Sequence, residues 1–258
     1  MLKRNTQQRR RAIVDLVNEL GEATVELLAS KFDTSAVTVR KDLVALEAAG
    51  LLLRKFGGAM SVPKELSADP QGHKVSKRKK LIAKAAADCI RDHYRVIIDS
   101  GSTTAAMIPE LNQKRGLVVM TNSLAVANAL HGLENEPTLL MTGGTWDPHS
   151  ESFQGQVAEQ VLRSYDFDQL FIGADGVDLS RGTTTFNELI GLSHAMAEVA
   201  REVVVVIESD KIGRRIPNLE LPWQQINRLV TDDGLAPEVR QTIEKLGVEV
   251  TVASTQAD

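Results

Sequence analysis

Seven short runs rich in β-branched and other apolar residues alternate with helix-length segments through the last two thirds of the chain. The runs occupy residues 95–99, 117–121, 138–142, 169–172, 203–207, 228–231 and 248–252. This alternation predicts an α/β fold with a mostly parallel, Rossmann-like sheet. Because such sheets bind ligands beyond the carboxyl ends of their strands, the residues that follow each run are the first candidates for a binding site.

Charge is distributed unevenly along the 258 residues. Residues 1–80 carry 16 Lys and Arg against 9 Asp and Glu, a balance of +7, whereas residues 81–258 carry 14 against 25, a balance of −11. The net charge of −4 for the whole chain conceals this division. The asymmetry predicts a basic N-terminal segment that meets a polyanion, although charge clustering without functional meaning is the alternative.

Composition excludes several other classes of protein. Ten aromatic residues (6 Phe, 2 Trp and 2 Tyr) are too few for the base-stacking platforms of single-strand binders. The one cysteine, Cys89, excludes a disulfide framework and is assigned to the core, and the five histidines lie too far apart for local metal ligation. The chain has no apolar run of membrane-spanning length, and its start does not resemble a signal peptide. We therefore expect a cytoplasmic protein without a metal or cofactor.

The basic segment has the spacing of three helices. Apolar residues recur at helical intervals before Gly21, and Thr24 then precedes a second, shorter apolar helix. A polar turn at residues 33–35 leads to a third helix over residues 36–49. This order predicts a helix-turn-helix whose last helix lies in the DNA major groove. The alternative is an ordinary three-helix bundle with a solvated charged face.

The first turns of the third helix supply candidate base contacts, because Val37 and Val39 are expected to be buried and their neighbours to face outward. These neighbours are Ser35, Ala36, Thr38 and Arg40, among which Ala36 offers a small apolar group to a thymine methyl. Lys41 is assigned to a phosphate. A strand, a basic tip and a glycine turn over residues 51–59 indicate a wing, whose Arg54 and Lys55 would lie on the sugar-phosphate backbone.

The same residues carry a family resemblance. Residues 35–43, SAVTVRKDL, followed by Leu46-Glu47 and by Gly57-Gly58-Ala59, closely resemble the head of DeoR-family repressors. The resemblance implies a winged helix-turn-helix domain over residues 1–61 and a double-stranded DNA operator as partner. Because one recognition helix reads too few base pairs for genomic specificity, we also expect a homo-oligomer, either a dimer or a tetramer.

Residues 62–76 are expected to form a linker, and residues 77–258 an effector-sensing α/β domain. The basic run at residues 77–80 either caps the next helix, contacts phosphate or is simply solvated.

Polar and glycine residues follow five successive runs and predict one ligand site. Hydroxyl groups and a glycine after the first run suit a phosphate, Lys211 offers it a positive charge, and Asp175 and Glu188 would accept hydrogen bonds from a sugar. The full set is Asp99, Ser100, Gly101, Ser102, Thr103, Thr104, Thr121, Asn122, Ser123, Gly143, Gly144, Asp175, Glu188 and Lys211. A capped strand-to-helix turn at residues 99–104 and an exposed surface lysine at 211 are the alternatives.

These strand ends extend the resemblance to the effector domain of DeoR-family regulators, which is similar in fold to ribose-5-phosphate isomerase and glucosamine-6-phosphate deaminase. Ile172 stands where the isomerase pattern has an aspartate, Arg181 stands for a lysine, and Glu188 matches the basic glutamate only with a gap. The resemblance therefore implies a sensor that binds a phosphorylated sugar and has no catalytic residue. The alternative is a sugar-phosphate isomerase or deaminase with an accessory DNA-binding head.

Residues 141–153 and 184–188 look most like the amino-sugar and hexitol branch of this family. They point to glucosamine 6-phosphate as an example of the effector, and to a repressor of sugar or amino-sugar genes.

Overall fold

The computed structural model describes residues 6–48, 51–61, 75–148, 150–187, 190–214, 216 and 218–254. The chain divides into two compact units, Met1–His73 and Lys74–Asp258, called the head and the body below. Most of the expected linker lies outside the described residues, so its bounds stay a prediction. Its last residue, Ser76, caps the first helix of the body through a hydrogen bond from the Lys79 amide to its Oγ at 3.1 Å.

The described part of the head contains three helices and three strands. In chain order they are α1 (Thr6–Leu20), β1 (Glu22–Thr24), α2 (Val25–Lys31), α3 (Ala36–Ala48), β2 (Leu52–Lys55) and β3 (Gly58–Ser61). The predicted cap at Thr24 is confirmed, since its Oγ1 accepts a hydrogen bond from the Leu27 amide at 3.1 Å. Ser35 begins α3 in the same way, with its Oγ accepting from the Thr38 amide at 3.1 Å.

The wing is the antiparallel hairpin of β2 and β3, and β1 completes a three-stranded sheet in the order β1-β3-β2. Sequence reasoning missed β1 because three residues are too few to show an alternating pattern. Gly58 allows β3 to approach β1, since a Cβ there would lie 2.3 Å from the carbonyl oxygen of Ala23.

In the head, the side chains of two residues on α3 are oriented differently from the prediction. Val39 and Leu43 are buried in it, as expected, but Val37 is 60% exposed and its predicted burial is wrong. Ala36, assigned to the outer surface, instead packs half-buried against the core. Helical periodicity explains the change, because residues 36, 39 and 43 share one face whereas residue 37 lies on the opposite one.

The body alternates strands and helices. Its elements are α4 (Lys77–Asp88), β4 (Arg95–Ile98), α5 (Ser102–Ala105), β5 (Val118–Thr121), α6 (Leu124–His131), β6 (Thr138–Met141), β7 (Thr145–Asp147), β8 (Ser152–Gln154), α7 (Gln156–Leu162), β9 (Phe167–Ile172), β10 (Gly176–Asp178), β11 (Gly182–Thr185), α8 (Gly191–Glu198), β12 (Ala200–Val206), β13 (Asn218–Pro222), β14 (Arg228–Asp232), α9 (Pro237–Glu244) and β15 (Glu249–Ala253). Short 3₁₀ helices span Ile108–Gln113, Ser209–Lys211 and Trp223–Gln225.

Within the described residues, seven parallel strands form the main sheet in the order β15-β14-β12-β9-β4-β5-β6. Each of the seven predicted runs contributes one strand. The chain starts at β4, proceeds outward through β5 and β6, and then returns to place β9 on the other side of β4. The gap between β4 and β9 is therefore the switch point at which such sheets bind ligands.

Apolar side chains cover both faces of the sheet, which is why its strands have nearly continuous apolar sequences. One cluster joins α4 and α6 to residues such as Val96 and Phe171, and the other joins α7, α8 and α9 to residues such as Ile97 and Leu170. The alternation along β4 and β9 sends successive side chains to opposite faces.

Two small antiparallel units lie outside the seven predicted runs. They are the β7–β8 hairpin and the sheet β10-β11-β13, which follows the end of β9. Their strands are only three to five residues long, which is too short to show the alternating pattern of a half-buried strand. The second unit is the one that matters for function, because it carries acidic residues toward the switch point.

Candidate functional site

The exposed face of α3 differs in part from the predicted reading surface. Arg40 and Lys41 are exposed, as expected of DNA contacts. The hydroxyl groups of Ser35 and Thr38 lie 2.9 Å apart and are already engaged with each other, and the Ser35 hydroxyl also caps the helix. The exposed side chain between them is Val37.

The two basic residues of the wing are paired with acids of the head. Arg54 Nη1 lies 3.4 Å from Glu47 Oε2, and Lys55 Nζ contacts Glu22 Oε2. Both arginine and lysine side chains remain partly exposed, and ion pairs at an exposed surface contribute little free energy. The pairs therefore orient Arg54 and Lys55 without removing them from reach of a phosphate.

A buried carboxylate fixes α1 to α3. Asp42 Oδ2 accepts a hydrogen bond from Arg9 Nε at 2.6 Å, and Oδ1 accepts one from Arg10 Nε at 2.8 Å. Burial alone would raise the pKa of Asp42, but the hydrogen bonds and positive charges of Arg9 and Arg10 outweigh it and hold the pKa below 3.8. The basic start of the head is thus partly structural, which its sequence does not reveal.

At the switch point of the body, Asp99 and the loop after it are fixed by Asn122. The Asn122 amide donates from Nδ2 to Asp99 Oδ1 at 2.8 Å, and its Oδ1 accepts from the Ser100 amide at 3.0 Å. Burial raises the pKa of Asp99 to about 6, although the hydrogen bonds from Asn122 and Ser100 lower it. The ends of β4 and β5 are therefore joined by one polar network, as the strand-end argument predicted.

The loop after β4 contacts a lysine that lies outside the predicted set. Lys79, in the first turn of α4, donates from Nζ to Ser102 Oγ at 3.0 Å and lies 3.8 Å from Glu208 Oε2. Its side chain is only 13% exposed. The basic run at residues 77–80 was the sequence signal for it, but nothing local separates Lys79 from its neighbours. Thr103 is half-buried, and Thr104 donates to the Gly101 carbonyl at 2.9 Å.

Several predicted residues have evident local roles. Thr121 Oγ1 accepts from the Ser123 amide at 3.1 Å, and Ser123 caps α6. A Cβ on Gly144 would lie 2.5 Å from the Gln154 carbonyl oxygen, so this glycine serves the packing of β8, whereas Gly143 faces open space. Thr121, Ser123 and Gly144 thus have structural roles near the strand ends.

The end of β9 brings further predicted residues together. Asp175 Oδ2 accepts from Thr185 Oγ1 at 2.8 Å, and Lys211 Nζ lies 3.5 Å from the Ala174 carbonyl oxygen. Glu188 lies outside the described residues. Arg181, which stands for the isomerase lysine, donates to Asp178 Oδ2 at 2.8 Å and has a structural role in the small sheet.

Glu220 is a buried acid that sequence reasoning missed. It lies on β13 between two leucines, and its Oε1 accepts from Ser193 Oγ at 2.9 Å while Oε2 has no hydrogen-bond partner among the described residues. Burial and the nearby negative charges of Asp99 and Asp175 raise the pKa of Glu220 to about 8. The only signal in the sequence is one acid between two leucines.

Among the described residues, no group of three His, Cys, Asp or Glu side chains could hold a metal ion. No helix in the described parts of the chain is long and apolar enough to cross a membrane. Cys89, assigned to the core, is only half-buried at the end of α4, where its Sγ lies 3.4 Å from the Ala85 carbonyl oxygen.

Comparison with known proteins identifies the family. The model of the DeoR C terminal sensor domain matches residues 74–233, and that of the DeoR-like helix-turn-helix domain matches residues 9–65. The chain belongs to the DeoR family. It is 38% identical over 252 residues to a putative aga operon transcriptional repressor of Escherichia coli O157:H7, covering 95% of this chain and 93% of the relative. It is 32% identical over 247 residues to the transcriptional regulator GlpR of Haloferax volcanii, covering 94% and 96%.

This DeoR-family protein is a DNA-binding transcriptional regulator with a sensor domain, and the prediction that it is not an enzyme is confirmed. The isomerase or deaminase alternative is set aside. A ribose 5-phosphate isomerase of Methanocaldococcus jannaschii is similar over 52% of this chain and 53% of the isomerase, with 20% identity and a TM-score of 0.38. That likeness is too low to bear on function.

Proposed function

We propose that this regulator is a homo-oligomeric repressor of sugar or amino-sugar genes whose effector is a phosphorylated sugar, glucosamine 6-phosphate being the example. Its place of action is the cytoplasm, where chromosomal operators are accessible. One observation carries the proposal. The switch point joins a cation and hydroxyl pair, Lys79 and Ser102, to a carboxylate that an amide orients, Asp99 with Asn122. A relative named for the aga operon supports control of an operon.

The phosphate end of the effector is assigned to Lys79, Ser102 and the neighbouring backbone amides. The 3.0 Å contact between Lys79 Nζ and Ser102 Oγ places an ammonium group and a hydroxyl donor side by side. A phosphate oxygen can accept from both, and hydrogen bonds to a charged group are the stronger kind. Lys211, held beside the end of β9, supplies a second positive charge. Ser100, Gly101, Thr103 and Thr104 complete this half.

The sugar end is assigned to two acids, Asp99 at the end of β4 and Asp175 after the end of β9. Asp99 is oriented by Asn122, and Asp175 is oriented by Thr185, so both present fixed acceptors. Fixed carboxylates recognise sugar hydroxyl groups, and they recognise an ammonium group better because opposite charge adds to the hydrogen bond. An amino-sugar phosphate carries a phosphate for the first half of the site and an ammonium group for the second. Thr121, Ser123, Gly143, Gly144 and Glu188 belong to the proposed rim.

The contacts of Lys79 also give the effector a route to the linker. Glu208 lies 3.8 Å from Lys79 and accepts from Ser76 Oγ at 3.3 Å, so one carboxylate holds both residues in the first turn of α4. A phosphate competes with Glu208 for Lys79. Because Ser76 ends the expected linker, displacement of Glu208 from Lys79 alters the contacts at the point where the chain leaves the body. Coupling of this kind requires that the effector favour one arrangement over the other.

On the DNA side, the proposed contacts are Ser35, Ala36, Thr38 and Arg40 for bases and Lys41, Arg54 and Lys55 for phosphates. The core packing of Ala36 and the mutual hydrogen bond of Ser35 and Thr38 leave Arg40 as the main base contact. One recognition helix reads too few base pairs for specificity in a genome, so two heads must bind together. A dimer is therefore the minimum assembly, and a tetramer is the alternative.

Fluorescence anisotropy tests both the DNA binding and the effector response. The duplex upstream of the protein's own gene is titrated with protein, with and without glucosamine 6-phosphate, ribose 5-phosphate or inorganic phosphate. We expect specific binding that glucosamine 6-phosphate changes. The double variant Ser102→Ala with Lys211→Ala should bind the duplex but lose this response, and so should Lys79→Met. The matched control is Lys84→Met on the same helix, whose lysine pairs with Asp88 at the surface.

The outcomes separate the parts of the proposal. A response that survives loss of Lys79, Ser102 and Lys211 would move the effector site elsewhere. A response to ribose 5-phosphate alone would refute the amino-sugar assignment. Sedimentation velocity of the free protein measures the oligomer, and a monomer at the concentrations that bind DNA would refute the paired-head argument.

A further inference from the structure

The exposed face of α3 includes two apolar side chains. Val37 is 60% exposed and Val44 is 49% exposed, and Arg40 and Lys41 lie between them on the same side of the helix. The spacing 37, 40, 41, 44 follows the helical repeat, so the four side chains form one continuous surface. They line a single shallow depression. Two valines thus occupy a face that the sequence prediction had assigned to polar and basic groups.

Helix stability does not explain these valines. A β-branched residue at an exposed helix position is less favourable than Lys, Glu or Ala, because its side chain loses rotamer freedom against the preceding turn. It also leaves apolar surface in water. The neighbouring Ala36 and Val39 already fill the core on the other side of α3, so Val37 is not needed for packing. Its exposure suits a partner with an apolar group in a polyanionic setting.

We infer that Val37 reads the 5-methyl group of thymine in the operator. This inference rests on the proposed DNA-reading role of α3. The thymine methyl is the apolar group that base pairs present in the major groove, and residues near the start of a recognition helix are those that reach base edges. Arg40, one turn further along, lies beside Val37 and supplies the charge that a groove lined with phosphates attracts. The methyl contact first assigned to the half-buried Ala36 therefore belongs to Val37.

The test exchanges thymine for uracil, which removes the methyl group and leaves the hydrogen-bonding edge unchanged. Full-length protein is used to select a duplex from a randomised library, and that duplex is resynthesised with one dT replaced by dU at a time. Dissociation constants are measured by anisotropy for the wild type, Val37→Ala and Val157→Ala. The last is a matched control, since Val157 lies on α7 of the body and is also 60% exposed.

We expect one or two positions in each half-site at which dU weakens wild-type binding about fourfold, the factor for withdrawing one methyl-sized group from an apolar contact. Val37→Ala should weaken binding to the dT duplex to a similar extent and should not distinguish dT from dU at those positions. Val157→Ala should behave like the wild type. Circular dichroism checks that each variant keeps its helices.

Three results would overturn the inference. Wild-type protein could bind every dU duplex as tightly as the dT duplex. Val37→Ala could keep the full preference for dT. It could also weaken self-association in sedimentation velocity while leaving that preference intact, which would make the valine face a contact between copies of the chain. Failure to enrich any duplex would instead refute the DNA-reading role of the head, and the inference with it.

Discussion

Replacing Glu220 by glutamine should make the body more stable than the wild type at pH 9 and about equally stable at pH 4. Glu220 is 8% exposed, and its Oε2 has no hydrogen-bond partner among the described residues. Burial and the charges of Asp99 and Asp175 raise its pKa from 4.5 to about 8. Glutamine has nearly the same shape and keeps an acceptor for Ser193, but it cannot ionise.

The direction in which the free energy of unfolding changes with pH follows from proton binding. Between pH 4.5 and about 8 the folded body holds a proton on Glu220 that the unfolded chain has released. The free energy of unfolding of the wild type therefore falls as pH rises through this window, by up to about 1.4 kcal/mol for each pH unit. The total loss in the free energy of unfolding is at most roughly 5 kcal/mol, and relaxation around the carboxylate reduces this loss. The glutamine variant lacks this loss, so its advantage grows from pH 4.5 and levels off above pH 8.

Urea unfolding at several pH values measures the difference. Tryptophan fluorescence reports on the body, because Trp146 and Trp223 are both in it. The control is Glu238→Gln on α9, which makes the same chemical change at an exposed position. A stability difference between Glu220→Gln and the wild type that stays constant from pH 4.5 to pH 9 would refute the reasoning, since no proton would then be retained on folding.

Three further predictions concern the head. Arg40→Ala should lower specific operator affinity by ~1–3 kcal/mol if the guanidinium contacts a base, which anisotropy on specific and scrambled duplexes measures; equal losses on both would contradict that role. Lys55→Ala should weaken binding to all duplexes alike and lower the salt slope by about 1, so a sequence-selective loss would argue against a phosphate contact. Asp42→Asn should destabilise the head by about 1.5–3 kcal/mol, seen in hydrogen exchange of α3, because Arg9 and Arg10 lose a charged acceptor. The pKa of Asp42 is lowered, so this contribution is present above pH 3.8 and is lost as pH falls, and an effect independent of pH would contradict it.

Local pattern was enough to predict much of the fold. The seven strands of the main sheet each came from one contiguous apolar run, and the start of α2 came from the single capping residue Thr24. The loop from Asp99 to Thr104 was found because a residue that directly follows a strand must lie at its carboxyl end. Each of these inferences uses residues within one element, where periodicity and capping act over a few positions.

Positions that depend on partners distant in the chain were not predictable in this way. Ser76 meets Glu208 across 132 residues, and Lys79 reaches Ser102 only because α4 packs beside the switch point. The pKa of Glu220 depends on Asp99 and Asp175, which belong to other elements. Nothing in the residues around Lys79 or Glu220 distinguishes them from an ordinary surface lysine or strand acid.

The sequence by itself determined the division into a basic DNA-binding head and an acidic α/β body, and it located the strand ends at which we propose that an effector binds. Only the tertiary structure decided the order of the strands, which places β9 beside β4 and so creates the switch point. It also decided that Val37 faces outward and that Lys79 and Glu220 lie near the predicted site. The physical reason is that charge and periodicity are properties of a segment, whereas burial and electrostatic environment depend on what packs against it.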